Sequence, residues 1–287
     1  MENTKASISD LFGSFCNDKI ERLEKIPQSG GDRTYYRIHT NVNTSYIATV
    51  SINVKENDAF IAFSKHFVEA GANVPKVLAV SHNREIYIQE DAGTLSLLDV
   101  LEAEGPSDKV FELYQKSLHA LAFLQIKGDN NFDYSQCITS KEFGHQAIMS
   151  DLLYFKYYFL DTLKMPYDKE QLLMDFDKLA HILSDGEHKF FMFRDFQSRN
   201  IMVKENQVCF IDYQGGMKGA MQYDAASLLW QAKSNLSDDW KKKLFDYYME
   251  CVEKNLGQPI DKNHFEKQYY GYVLIRLLQV LGAYGFR

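Results

Sequence analysis

Helix breakers are scarce: the chain has five prolines and sixteen glycines in 287 residues, which leaves room for long helices. Cysteines are few and scattered, at Cys16, Cys137, Cys209 and Cys251. The lack of any C-x-x-C pair excludes zinc-finger spacing, and such thiols are expected to stay reduced in a cytoplasmic protein. There is no run of about 18 apolar residues, so no membrane partner or span is expected. The opening Met1–Phe12 has no apolar core of a secretory signal. Nor is there an excess of positive charge: 32 basic against 39 acidic residues give a net −7, which counts against a general nucleic-acid binder while leaving a local basic pocket open. Repeats and low-complexity tracts are absent. Hydrophobic residues at 45% exclude a disordered chain, and a chain of this length suggests about two domains.

The patterning changes near residue 90. Residues 7–24 read as a first helix, with Leu11, Phe12, Phe15 and Ile20 near helical spacing. Residues 35–39 and 45–50 read as paired strands. A helix follows over 56–70, ended by Gly71, then strands at 77–80 and 85–90. After Asp91-Ala92-Gly93 helices dominate: 95–104, 107–126, 142–163, 168–184, 223–233, 237–254 and 262–283. Two apolar strands, 189–194 and 207–212, interrupt them around a polar loop. The domains expected are therefore 1–90, a hinge at 91–94, and 95–287, with a ligand cleft between the two lobes.

The strand-loop-strand insert carries the chemistry. It places Asp195, Asn200 five residues later, and Asp212 after the second strand. Asn200 and Asp212 suit a hard cation such as Mg²⁺, whose shell phosphate oxygens complete. Asp195 is then free to accept a proton from an attacking hydroxyl. That division of labour is what phosphoryl transfer from ATP requires. An Asp-rich loop capping two strands is the plainer alternative.

Arg194-Asp195 with Asn200 matches the R-D-x-x-x-x-N part of the kinase catalytic loop, and Ile211-Asp212 stands where the metal-binding Asp of D-F-G belongs. With Tyr223-Asp224-Ala225-Ala226-Ser227 downstream, the string resembles the aminoglycoside phosphotransferase/choline kinase group, and within it the bacterial N-acetylmuramate/N-acetylglucosamine anomeric kinase branch. The resemblance implies an α+β, protein-kinase-like bilobal fold with a small β-rich lobe and a larger helical lobe. It also implies structural roles for Arg194 and for Asp224, an Asp that binds the backbone of the catalytic loop. Read locally, Asp224 is equally a helix N-cap.

Ser29, Gly30, Gly31, Asp32 and Arg33 lie where backbone N–H groups can approach phosphates, although a connecting turn reads equally well. Gln89, Glu90 and Asp91 fall at the expected hinge, where backbone groups can meet an adenine edge. Two departures stand out. Phe193 replaces the His of H-R-D. The strand Tyr46–Val50 carries no lysine where V-A-I-K places one; Lys55, Arg33 and Arg37 are the replacements available, and Glu56 and Glu69 the carboxylate partners. On the acceptor side, Tyr158 in an aromatic-rich segment, Asp151 and Gln214 are candidates, and the same segment reads as an ordinary amphipathic helix. The expected activity is ATP- and Mg-dependent transfer to a hydroxyl of a small molecule, an (amino)sugar first. An aminoglycoside or choline-type acceptor, or a regulatory nucleotide-binding pseudokinase, are the alternatives. The chain ends just after an apolar helix, so a further C-terminal domain in the natural protein is open, as is the oligomeric state.

Overall fold

The apolar residues of the N-terminal segment do not share one helix. The computed structural model describes residues 2–27, 32–186 and 188–286. In it the helix expected over 7–24 is two elements, α1 (Glu2–Gly13) and β1 (Ile20–Lys25). After Gly13 the chain turns, with the N–H groups of Phe15 and Cys16 both donating to the Phe12 carbonyl. Ile8 and Phe12 of α1 bury against Tyr36, Ile38 and Ile88, and Phe15, Ile20 and Leu23 pack on the same cluster. One shared core, approached by two elements, produces the helix-like spacing.

The sheet continues with β2 (Thr34–Thr40), β3 (Ser45–Val50), α2 (Val54–Glu69), β4 (Val77–Val80) and β5 (Ile86–Glu90). Its strand order is β1-β2-β3-β5-β4, antiparallel throughout. The Asn53 side chain caps α2 by accepting from the Glu56 N–H at 3.3 Å, which fixes where Glu56 leaves the first turn. The apolar face of α2 points away from the β1-side cluster. Phe60 stacks on Tyr213 at 4.8 Å and Phe67 meets Phe191 edge-on at 4.7 Å, so α2 joins the sheet to the helical part.

Beyond residue 94 come β6 (Leu95–Ser96), α3 (Leu97–Glu104), α4 (Asp108–Lys127), α5 (His145–Phe155) and α6 (Lys169–Ser184). Ser96 and Asp99 form a reciprocal cap on α3. The helix expected over 142–163 is α5 continued by a π-helical segment, Lys156–Asp161. Then follow β7 (Lys189–Met192), β8 (Ile201–Lys204), β9 (Gln207–Phe210), β10 (Met217–Ala220), α7 (Gln222–Leu229), α8 (Asp238–Leu256) and α9 (Lys262–Phe286). Strands β8 and β10 were not anticipated, and the two anticipated strands do not pair. Instead β7 pairs with β10, and β8 with β6 and β9. Both anticipated strands end two residues early. Arg194 has φ +77° and Asp212 φ +66°, which takes each out of its ladder. Every residue of α7 is buried, and α9 packs across α5 and α7. Among the described residues, no helix is long and apolar enough to cross a membrane.

Candidate active site

Strand β7 runs into the core. Phe191, Met192 and Phe193 are fully buried. Phe193 lies edge-on to Phe196, Phe210 and Tyr213, at 5.2, 5.8 and 5.9 Å between ring centroids. Packing therefore anchors the start of the loop at the position where a kinase His would stand. From α7, fully buried Asp224 accepts from the N–H groups of Phe193 (2.8 Å) and Arg194 (3.0 Å) and from Gln125 Nε2 (2.9 Å). The backbone tie expected of Asp224 is thus present.

Burial pushes the Asp224 carboxyl from 3.8 up to about 7, against the pull of those donors and of Arg276. A carboxyl raised by folding contributes stability in full below its unfolded value and loses it as pH rises through about 7. We expect this group to lower the unfolding free energy between pH 5 and 8, by up to about 3 kcal/mol. Urea midpoints across that range check the sign; midpoints that rise with pH would contradict it.

The left-handed Arg194 is held by its side chain. Its guanidinium pairs with both oxygens of Asp151, at 2.8 and 2.9 Å, and lies over the Phe143 ring at 4.5 Å. Such fixed, strained backbone is common where a following residue must be aimed. The residue it aims is Asp195, whose carboxylate is 40% exposed. Three donors face that carboxylate: Gln197 Nε2 at 2.6 Å, Arg276 Nη2 of α9 at 3.1 Å and Arg199 Nη2 at 3.4 Å. Asn200 donates to the Asp195 carbonyl at 2.9 Å and reaches Asp212 Oδ2 at 3.4 Å. The three residues singled out from their spacing therefore meet.

Asp212 borders a cleft of about 620 Å³ between the sheet and the helical part. Gln214 Nε2 donates to Asp212 Oδ1 at 2.8 Å and lies 3.4 Å from Glu56 Oε1. Arg33, its side chain only 8% exposed, donates to Glu56 Oε1 and stands 3.7 Å from Asp212 Oδ1. Of the three basic residues considered, Arg33 alone joins these carboxylates. Arg37 binds Asp91 at 2.7 Å and the Gly93 carbonyl at 2.9 Å, and Lys55 reaches the Ile138 carbonyl at 3.2 Å. Glu56 is the carboxylate partner, while Glu69 is exposed. Asp212 and Asn200 offer only oxygen acceptors to a cation, and among the described residues the buried Gln214 Oε1 beside them has no hydrogen-bond partner. An all-oxygen set suits a hard divalent cation.

Ser29, Gly30 and Gly31 lie outside the described residues. Asp32, Arg33, Gln89 and Asp91 line the cleft. The Asp91 carboxylate serves its own segment, accepting from Arg37, Ser45 Oγ and the Gly93 N–H. Glu90 accepts from the Lys76 N–H and is exposed. Two acceptor-side candidates have other work. Asp151 is buried and engaged by Arg194. Tyr158 packs on Tyr154 and Phe286 where α9 crosses the end of α5. Gln214 is at the Asp212 and Glu56 carboxylates. Gln197 and Arg276 were not anticipated. Gln197 carried a weak signal, two residues past Asp195, whereas nothing in the spacing connects Arg276 to a loop 81 residues away.

A family model described as the phosphotransferase enzyme family matches residues 22–254. The curated N-acetylmuramate/N-acetylglucosamine kinase of Pseudomonas aeruginosa is 24% identical over 226 residues, covering 77% of this chain and 64% of that protein. The chain thus spans under two thirds of that relative. Among solved structures, an amicoumacin kinase in complex with AMP-PNP and Ca²⁺ aligns with a TM-score of 0.69 at 12% identity, over 99% of this chain and 86% of that one. Choline kinase from Cryptosporidium parvum aligns with 0.66 at 14%, over 99% and 93%. At such identities the likeness is one of fold, and that fold is α+β and protein-kinase-like.

Proposed function

The chain belongs to the phosphotransferase enzyme family, and we propose that it moves the γ-phosphate of ATP to a hydroxyl of a small molecule, an N-acetylated amino sugar first among acceptors. The observation that carries this reading is that Asn200 ties the Asp195 carbonyl to Asp212, with Asn200 and Asp212 lining the cleft and Asp195 just outside it. The acceptor class rests on the name of the Pseudomonas relative. In this reading residues 1–90 hold the nucleotide, 91–94 are the hinge, and 95–287 carry the catalytic loop and the acceptor side.

Asp195 accepts the acceptor's hydroxyl proton as the new oxygen–phosphorus bond forms and the bond to the ADP oxygen breaks. Asn200 and Asp212 would hold Mg²⁺, which when bound neutralises the phosphate oxygens. Arg33, braced by Glu56, takes the part of the absent strand lysine and faces the α- and β-phosphates. Burial works against its charge, but Tyr87, Tyr35 and Glu56 hold the guanidinium above its ordinary value, so it stays cationic. A supplied cation removes the motive for a regulatory pseudokinase.

Arg33→Ala is expected to raise KM for ATP about 30-fold or more, the loss of one charge-assisted contact in a partly buried site. Arg33→Lys should recover part of it. Steady-state ATP titrations check both, and an unchanged KM in Arg33→Ala would remove Arg33 from the site.

The reading as a whole is tested by ATP consumption with Mg²⁺ against N-acetylglucosamine, N-acetylmuramate, simple hexoses, choline and an aminoglycoside. Turnover on a sugar supports it, turnover confined to choline or the aminoglycoside moves the acceptor class, and no ATP binding refutes it.

A further inference from the structure

We infer that Arg276, on the last helix, is a positioning residue that fixes Asp195 and makes the acceptor site refuse hydroxyl compounds bearing an ammonium beside the reacting hydroxyl. This rests on the kinase reading above and goes beyond it by giving the site a charge preference and naming the residue that sets it.

The side chain is placed for that task. Arg276 is 9% exposed, and its Nη1 is held by Gln279 one turn further along α9. Its Nη2 then meets Asp195 Oδ1 at 3.1 Å, and Gln197 Nε2 meets the same oxygen at 2.6 Å. Oδ1 is therefore occupied by two donors from different elements. Among the described residues, Oδ2 faces only Arg199, at 3.4 Å, on a side chain that is half exposed. A carboxylate held by one oxygen presents the other in a fixed direction, and here Oδ2 is the one left for an incoming hydroxyl.

The charges around the base follow a consistent pattern. Arg199 lines the nucleotide cleft, whereas Arg276 is not among the residues lining it. The base thus has a guanidinium on the nucleotide side and another on the side facing α9. The nearby carboxylates are already committed. Asp151 takes both of its bonds from Arg194, and Asp224 is fully buried and accepts backbone N–H groups. A cationic acceptor needs carboxylates to replace its hydration shell, and the first polar groups it meets at Asp195 are guanidinium donors. Across about 6 Å at an effective dielectric near 20, each of the two guanidiniums disfavours it up to about a hundredfold; the charge of Asp195 cancels about one of them, leaving about tenfold or more. A neutral N-acetyl group or a carboxylate meets no such barrier.

The test compares acceptors of one shape: glucosamine, N-acetylglucosamine and N-acetylmuramate, by kcat/KM in the purified chain at one pH, with Arg276→Gln and Arg276→Lys beside it. We expect glucosamine to be at least tenfold poorer than its N-acetyl form. In Arg276→Gln that ratio should shrink towards one while kcat on N-acetylglucosamine falls and KM for ATP stays unchanged. Arg276→Lys keeps the charge and should keep the ratio, which separates charge from folding should the Gln variant be unstable. Glucosamine used as well as the N-acetyl sugar, or a ratio identical in wild type and Arg276→Gln, overturns the inference while leaving the kinase reading intact. No turnover on any acceptor overturns the kinase reading, and this inference with it.

Discussion

Asp195→Asn is expected to lower kcat about a thousandfold and to leave KM for ATP within about twofold; the first figure is the size of a general-base contribution. The asymmetry comes from position. Asp195 is not among the side chains that line the nucleotide cleft, so the nucleotide keeps its contacts. Arg276, Gln197 and Arg199 all donate to the carboxylate. An Asn there has one acceptor oxygen, and the donors from Arg276 and Gln197 will claim it. The amide nitrogen then turns to where the hydroxyl must arrive, presenting a donor to a donor. Uncharged Asn also leaves the Arg276 guanidinium without its ion pair, which predicts a lower Tm of a few degrees. Single-turnover rates with nucleotide titrations check the split. A variant that loses nucleotide affinity and turnover in equal measure would place Asp195 in the nucleotide site instead.

Periodicity served the helical part well where a helix buries one stripe, as most do there; α7, buried all round, is the exception. The helix expected over 237–254 is Asp238–Leu256, and it ends where Gly257 adopts φ +72°, a stop visible in the sequence. It failed at the N-terminus for a physical reason. Ile8, Phe12, Phe15, Ile20 and Leu23 all reach one cluster, and a core shared by a helix and a strand leaves the same apolar trace as one long helix. Strands β8 and β10 were hidden because neither shows the six-residue run that marked β7 and β9, which are themselves four residues long. Ile201 to Lys204 and Met217 to Ala220 are too short to show alternation, and their partners are set by the loop between them.

The site was legible where it is local and opaque where it is not. Asp195, Asn200 and Asp212 sit at spacings that one loop and one hairpin impose, so their meeting follows from chain order. Asp224 is 30 residues from the N–H of Arg194, yet its downstream motif made the tie an expectation. Arg33 was one of three interchangeable cations on paper. The choice between them depends on where β2 starts and on the Asn53 cap that aims Glu56, both tertiary facts. In sequence Asp151 is an acceptor-side candidate, and only the packing of α5 brings it to Arg194 instead. Arg276 depends on α9 folding back across α7, a placement no local pattern carries.

The second large effect is expected at Asp212. Asp212→Ala should weaken nucleotide binding in the presence of Mg²⁺ about a hundredfold, the cost of one charged oxygen ligand shared with phosphate. Without Mg²⁺ the same variant should bind ATP as well as the wild type or better, because the loss of a carboxylate near the phosphates lowers repulsion. That reversal is the signature of a metal ligand; a residue contacting the nucleotide directly would weaken both. Two side effects must be separated from it. Asp212 sits at φ +66°, where Ala costs about 1 kcal/mol more than a residue with a short polar side chain. Its removal also takes a partner from Gln214 and from Arg33, although Glu56 still holds Arg33. Asp212→Asn keeps the shape and tolerates the left-handed backbone, so it isolates the charge. It should show the same loss of Mg-dependent affinity with a Tm closer to wild type. Calorimetric ATP titrations with Mg²⁺ and with a chelator decide it, and equal losses under both conditions would remove Asp212 from the metal.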